Sequence, residues 1–281
     1  MSVWVHTLVR NEEKYVWFAV MSVIDYVDRV LLWDTGSEDK TIEIIKEIKK
    51  LYPSKISFRE VKQRDIYEFT HLRQEMLDST KSDWFMIVDG DEVWWDSAIK
   101  EVAGVIRKKG SKIESIVNRY YNVIGDIYHC QDESAGRYRI DGKTGHLTIR
   151  ASSKKISGIH FSKPHGIQGI FDDRGVPIQN RSKKKREYIK HPAYIHFTNV
   201  RRSSSVYLDS KVPKREMKLK YEVGNSFPFD FYYPEVFFRP RPSIVPSPWE
   251  SISNKFKVRA YIEKPFRTFK RRFIGKDRSG Y

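Results

Sequence analysis

A mostly parallel, doubly wound α/β sheet with helices on both faces is the fold this sequence predicts. Three observations carry it. Strand-like apolar runs alternate with helical periodicity through the first hundred residues, polar turn clusters end three of those runs, and residues 84–88 (Trp-Phe-Met-Ile-Val) are apolar throughout. A continuous apolar run is what a strand buried on both faces of a parallel sheet requires.

The elements follow in order. Val3, Val5 and Thr7 alternate with Trp4, His6 and Leu8, so residues 2–9 predict a strand rather than a signal peptide. Asn11-Glu12-Glu13 opens a helix carrying Val16, Phe18, Ala19, Val20 and Val23. Residues 27–33 form a second strand that ends in Asp34-Thr35-Gly36-Ser37. Ser37 is placed to cap a helix with Ile42, Ile45, Ile48 and Leu51, which Pro53 closes. Ile56, Phe58 and Val61 predict a third strand, residues 70–79 a short helix and residues 84–88 the fourth strand. A helix from Asp96 through Arg107 and a strand over 113–123 complete this half. Beyond Gly125 the pattern breaks into glycine-punctuated hairpins and loops, with residues 181–190 a basic exposed loop. Six prolines between Pro228 and Pro248 predict an extended wrap. The last 28 residues carry 10 Lys or Arg against Glu263 and Asp277, interleaved with Phe256, Val258, Tyr261, Ile262, Phe266, Phe269 and Phe273, a basic amphipathic tail.

At 281 residues and 40% hydrophobic composition, the chain buries a substantial core. No segment has the ~20 apolar residues of a membrane span. The single Cys130 permits neither an internal disulfide nor a zinc site by itself, and these features predict a cytoplasmic protein. The net charge of +16 is unevenly placed: the first 100 residues hold 14 Lys or Arg against 19 Asp or Glu, the remainder 38 against 17. Such a basic surface suits phosphates, anionic lipid or nucleic acid.

In an open α/β sheet, ligands bind beyond the carboxyl ends of the strands. Here those ends carry Arg10-Asn11-Glu12-Glu13, Asp34-Thr35-Gly36-Ser37 and Asp89-Gly90-Asp91-Glu92. Acids gathered on one edge repel one another unless a cation or sugar hydroxyls occupy the site, and oxygen ligands of this kind suit Mg²⁺ or Mn²⁺.

The segments 8–14 (Leu-Val-Arg-Asn-Glu-Glu-Lys), 30–41, Arg73 and 87–92 (Ile-Val-Asp-Gly-Asp-Glu) together resemble glycosyltransferase family 2, of GT-A fold, over about residues 1–125. Tyr194-Ile195-His196-Phe197 and the basic stretch 207–218 look like the late histidine and basic helix of lipopolysaccharide-core and cell-surface polysaccharide members. The resemblance implies a metal-dependent, inverting transfer from a nucleoside-diphosphate sugar to a glycan or lipid-linked hydroxyl acceptor, in polysaccharide biosynthesis. It assigns Leu8, Arg10 and Glu12 to the wall around the base and ribose, Asp34 to the base edge, and Arg73 to the base or diphosphate. Asp89 and Gly90 join the donor site, Asp89 meeting ribose or metal-bound water. Asp91 and His196 become metal ligands beside Asp89, for Mn²⁺ or Mg²⁺. Asp132 and Glu133 are the candidates for the base that takes the acceptor proton. The Gly-x-His-Glu cluster of surface-polysaccharide relatives is absent: His160 and His165 have no following glutamate. The expected division is a catalytic domain over 1–200, with 1–125 its donor half and 126–200 its acceptor half, and a basic extension over 201–281.

Two other classes compete. A haloacid-dehalogenase-type phosphotransferase would use Asp89 as nucleophile and Asp91 as acid/base, but three strands precede the motif and the residues before Asp172-Asp173 do not read as an apolar strand. A basic module binding nucleic acid fits the back half but not the acidic strand ends. The tail suits the cytoplasmic face of an anionic membrane, near a lipid-linked acceptor.

Overall fold

The structure is a computed structural model that describes residues 1–63, 65, 67–213, 215–273 and 278–279. In chain order, β1 (Val3–Val9) leads to α1 (Val16–Met21), β2 (Arg29–Asp34), α2 (Thr41–Leu51), β3 (Ile56–Glu60), α3 (Glu68–Ser79), β4 (Trp84–Ile87), β5 (Glu92–Trp94) and α4 (Asp96–Lys109). Then come β6 (Ser115–Ile124), β7 (Asp126–Cys130), the small hairpin β8 (Tyr138–Ile140) and β9 (Lys143–Gly145), and β10 (Leu147–Ser153). A second small hairpin, β11 (His160–Ser162) with β12 (Gly169–Phe171), precedes the long β13 (Arg186–Asn199). The chain finishes with α5 (Val206–Ser210), α6 (Arg215–Lys218), β14 (Asn225–Ser226), α7 (Asn254–Phe273) and β15 (Arg278–Ser279).

The main sheet runs β14-β7-β6-β10-β4-β1-β2-β3, with β13 bridging β6 and β5. Strands β3, β2, β1 and β4 are parallel, while β10 is antiparallel to both β4 and β6. Helices α1, α2 and α4 pack in one core, with Val16, Ile45, Ile99 and Val102 against Val5, Val30 and Trp94. On the other face, Leu72 and Met76 of α3 cover Leu8, Leu31 and Trp33, and Leu77 packs with Phe85 and Ile149. The chain moves outward from β1 to β2 and β3 on one side and places β4 on the other. The switch point of the winding therefore lies between β1 and β4, where such sheets bind ligands.

The predicted parallel half matches the structure, with local differences. The second strand starts at Arg29, because Val23 to Tyr26 continue from α1 as a short helical turn. The buried stripe of α2 is Thr41, Ile44, Ile45 and Ile48 rather than Ile42 to Leu51, and Leu51 is exposed. Its first N–H is capped by Asp39, not Ser37, since Ser37 is committed to Asp34. Residues 181–190 are not simply a loop: β13 begins at Arg186, whose buried guanidinium is satisfied by Asp141, Ser115 and the Ile178 carbonyl. The basic stretch 207–218 forms two short helices, α5 and α6. The proline-rich region is irregular rather than simply extended, with turns at 229–230 and 243–244 and one helical turn over 235–238, and it buries Val236, Phe237 and Val245 against the core. Asp277 of the tail lies outside the described residues.

Candidate functional site

The exit of β1 and the loop after β4 touch at Gly90. A Cβ there would stand 2.7 Å from Val9 Cγ1 and 3.1 Å from Glu12 Cγ, so glycine is what lets the two loops close on each other. Asn11 turns the β1 exit in the left-handed region, φ 51°. Its side chain accepts from the Glu38 amide and donates to the Leu208 carbonyl.

Around this contact, carboxylates and guanidinium groups interleave. Arg73 of α3 donates to Asp89 Oδ1 at 2.6 Å, and Arg150 of β10 donates to Asp89 Oδ2 at 3.2 Å and to Glu92. Arg202 bridges Glu12 Oε1 at 2.9 Å and Asp91 Oδ2 at 2.7 Å. Arg215 donates to Glu12 Oε1 at 2.5 Å, to Asp209 Oδ1 at 2.9 Å and to the carbonyls of Arg10 and Asn11. The antiparallel pairing of β13 with β5 sets His196 against Glu92 in register, and the Phe197 amide donates to the Asp91 carbonyl. His196 Nε2 thereby lies 3.4 Å from Asp91 Oδ2.

Burial and charge pull these groups in opposite directions. Burial raises Asp91, but Arg202 and then His196 hold its carboxyl far below the usual range. Burial likewise raises Asp89, and Arg150 and Arg73 more than offset it. For Glu12, burial wins over Arg202 and Arg215 and pushes it up to about 8; Glu92 is also pushed up to about 8, against Arg150. Buried side-chain atoms without a hydrogen-bond partner gather here, among them Arg10 Nε, Glu12 Oε2, His196 Nδ1 and Arg202 Nε. Such atoms are uncommon in folded interiors and concentrate at functional sites.

Of the sequence-predicted residues, Glu12, Arg73, Asp89, Gly90, Asp91 and His196 meet in this one buried cluster, and Arg10 joins it through its backbone carbonyl, which accepts from Arg215. Leu8 is buried below it with Trp33 and Leu72. Asp34 is 1% exposed and accepts from the Gly36 and Ser37 amides at 2.9 and 2.8 Å, holding the β2 turn. Asp89, Asp91 and His196 do not form a ready three-ligand cluster, because Asp89 is turned toward Arg73 and Arg150; no group of three His, Cys, Asp or Glu suited to a metal occurs among the described residues. Asp91 and His196 nevertheless converge with a hard oxygen and an imidazole nitrogen. Two such donors would hold a Mn²⁺ or Mg²⁺ ion only together with ligands that the described residues do not supply here. Arg202 competes for the same Asp91 oxygen.

Asp132 and Glu133 stand on the exposed loop after β7. Asp132 Oδ1 accepts from the Ser134 amide and hydroxyl at 2.9 and 2.6 Å, and these bonds hold its carboxyl below the usual range. Glu133 pairs with Arg119 at 3.2 Å. The loop reaches the crevice through rings: His146 Nε2 lies 3.1 Å from the Asp132 carbonyl, and the Tyr120 ring sits 5.4 Å from His146 and 5.5 Å from His196. His160 and His165 stand outside the crevice, in contact with the Gly158 carbonyl and the Phe69 ring.

Sequence reading missed Arg150, Arg202 and Arg215. Arg202 and Arg215 lie beyond the expected boundary at 200, yet the segment 200–218 is fastened over the β1 exit: Lys14 donates to the Arg202 carbonyl and Ser203 to Glu13. The site therefore continues into what the sequence presents as an extension.

The family model described as "Glycosyl transferase family 2" matches residues 4–163. No curated protein matches the sequence. Among solved structures, the crystal structure of S. aureus TarS 1-349 is similar at 14% identity and TM-score 0.47, covering 70% of this chain and 61% of that one. TarS 1-349 in complex with UDP-GlcNAc is similar at 12% identity and TM-score 0.48, covering 70% and 58%. The chain thus spans about three-fifths of the length of those structures.

Proposed function

Because the chain belongs to glycosyltransferase family 2, we propose that it moves a sugar from a nucleoside-diphosphate sugar to a hydroxyl acceptor, by a metal-assisted, inverting reaction. The observation that carries this reading is the buried cluster of carboxylates and guanidinium groups at the β1/β4 switch point, where Asp91 and His196 converge among the arginines. In such a transfer the departing nucleoside diphosphate gains negative charge. Positive groups fixed in a buried site stabilise that charge more than they stabilise the ground state. Arg202, now spent on Asp91 and Glu12, is positioned to exchange those partners for diphosphate oxygens, and Arg73 and Arg150 orient Asp89 toward ribose. A divalent ion held by Asp91 and His196 would add electrophilic stabilisation of the leaving group.

Arg10, Glu12 and the turn held by Asp34 form the wall for base and ribose, with Leu8 supporting it from below. Asp132 and Glu133 are the candidates for the base, each already held on the loop after β7, Asp132 by Ser134 and Glu133 by Arg119. The acceptor is a glycan or lipid-linked hydroxyl. A phosphotransferase reading has less support: both Asp89 oxygens accept from arginines, which leaves a poor nucleophile.

The test is donor hydrolysis and thermal shift over a panel of nucleotide sugars, with Mn²⁺, Mg²⁺ or EDTA, for wild type and Asp91→Ala. Expected is turnover of one donor that EDTA abolishes and Asp91→Ala lowers by about a thousandfold, the scale of several kcal/mol of lost charge stabilisation. Turnover unchanged by EDTA removes the metal, and no response to any donor removes the reading.

A further inference from the structure

Helix α7 has two faces of different use. Near its start, Phe256 packs 5.1 Å from the Tyr221 ring and close to Gly125, Ala260 is buried, and the Arg259 guanidinium lies 3.6 Å over Tyr221. These contacts fasten the helix to the turn between β6 and β7. Val258, Tyr261, Ile262 and Phe266 fall at i, i+3, i+4 and i+8, a single stripe on the side turned away from Phe256 and Ala260. All four are exposed, Ile262 at 66% and Phe266 at 76%. The 20-residue helix also carries eight Lys or Arg against one Glu. It is too polar to cross a membrane.

We propose that α7 lies in the plane of an anionic lipid surface, with Val258, Tyr261, Ile262 and Phe266 entering the headgroup boundary and the exposed Lys255 and Lys257 on lipid phosphates. Three features select lipid. Basic side chains beside an apolar stripe match the combined demands of charge and acyl contact. Aliphatic Val258 and Ile262 gain nothing from stacking on nucleic-acid bases, which is where single-strand binders place aromatic rings. Two copies of so basic a helix repel each other, within a chain of net charge +16. The inference goes beyond donor chemistry and does not depend on it.

The full chain is sedimented with phosphatidylcholine vesicles and with vesicles containing phosphatidylglycerol, alongside Ile262→Glu/Phe266→Glu and Lys255→Glu/Lys257→Glu. All four side chains are exposed, so circular dichroism is expected to match wild type in both variants. Wild type is expected on the anionic vesicles only, and each double variant to partition at least about tenfold more weakly. Equal binding by Ile262→Glu/Phe266→Glu overturns the proposal, because adsorption would then need charge alone. So does absence of wild-type binding to anionic vesicles, whether accompanied by salt-sensitive binding to single-stranded RNA or by a dimer that the apolar variant dissolves.

Discussion

The parallel half of the sheet brings most of the acids, with Arg73, to one buried cluster, and the half built around β10 and β13 brings most of the basic groups. β1 and the loop after β4 supply Glu12, Asp89, Asp91 and Glu92, while β10, β13 and the segment after it supply Arg150, His196, Arg202 and Arg215. The first set is local in sequence: Glu12 follows β1, and Asp89, Asp91 and Glu92 follow β4. The second is assembled by pairings between residues far apart in the chain. Neither half makes a site alone: buried Glu12, Asp91 and Glu92 and half-buried Asp89 need counter-charge, and the buried arginines need acids. The division of charge along the chain, acidic in front and basic behind, is thus partly the division of labour within one site.

The sharpest way to break that pairing is Arg202→Ala. It leaves Asp91 and Glu12 buried without their shared partner, a change that costs about 3–5 kcal/mol where a buried pair is broken. Urea denaturation checks it. A loss well below 1 kcal/mol means that segment 200–218 stands open in solution and that Arg202 pairs with the acids only part of the time. Donor turnover is expected to fall by about 10²–10³ as well, the scale of removing one fixed donor from a transition-state charge. Arg150→Ala tests the β10 contribution with a smaller expected loss, about 2–3 kcal/mol, because Asp89 keeps Arg73 and Glu92, already pushed up to about 8 by burial, takes a proton more readily than Asp91 when its partner is removed.

The asymmetry between the halves also explains what was legible. Parallel βαβ units announce themselves through local period, turn residues and short connections, so the order of β1 to β4 and the acids at their ends follow from sequence. The arginines give no such signal. Arg150 sits mid-strand in a run that reads as hairpin, and its partner Glu92 is set by β10 crossing beside β4 in antiparallel register. Arg202 and Arg215 occupy a stretch whose composition resembles a solvated basic tail. Only His196 was visible among the long-range contributors, through its resemblance to a family pattern rather than through any periodicity. Asp34 shows the converse, since the resemblance gave it a base contact and the turn alone accounts for the contacts its carboxylate makes here.

Within the acidic half, Gly90→Ala sharpens the comparison by testing close approach instead of charge. The added Cβ would meet Val9 and Glu12 side chains at 2.7 and 3.1 Å, and the loops must part by a few tenths of an ångström. Overpacking of this kind costs about 1–2 kcal/mol. Thermal unfolding reads the stability loss, and KM for the donor is expected to rise because Asp89 and Asp91 move with the loop. Unchanged stability and KM mean the β1 exit yields freely and does not define the crevice.

The smallest effect comes from an ion-pair cluster outside the site, and it separates structural from functional use of arginine. Glu114 accepts from Arg181 at 2.8 Å and from Lys185 at 2.9 Å, tying α4 and β6 to the segment before β13. The hydrogen bonds from Arg181 lead in holding its carboxyl below the ordinary 4.5, against burial that raises it, with Lys185 adding to the fall. A carboxyl lowered in the folded state contributes stability that is present above 4.5 and is lost as pH falls through the lower folded value. Glu114→Gln is therefore expected to cost about 0.5–1 kcal/mol at neutral pH, given solvent screening, and to converge with wild type in acid. Donor turnover should not change. A loss of turnover equal to that of Arg202→Ala would mean that the basic segment over 181–190 communicates with the crevice, and the distinction between the two arginine clusters would fail.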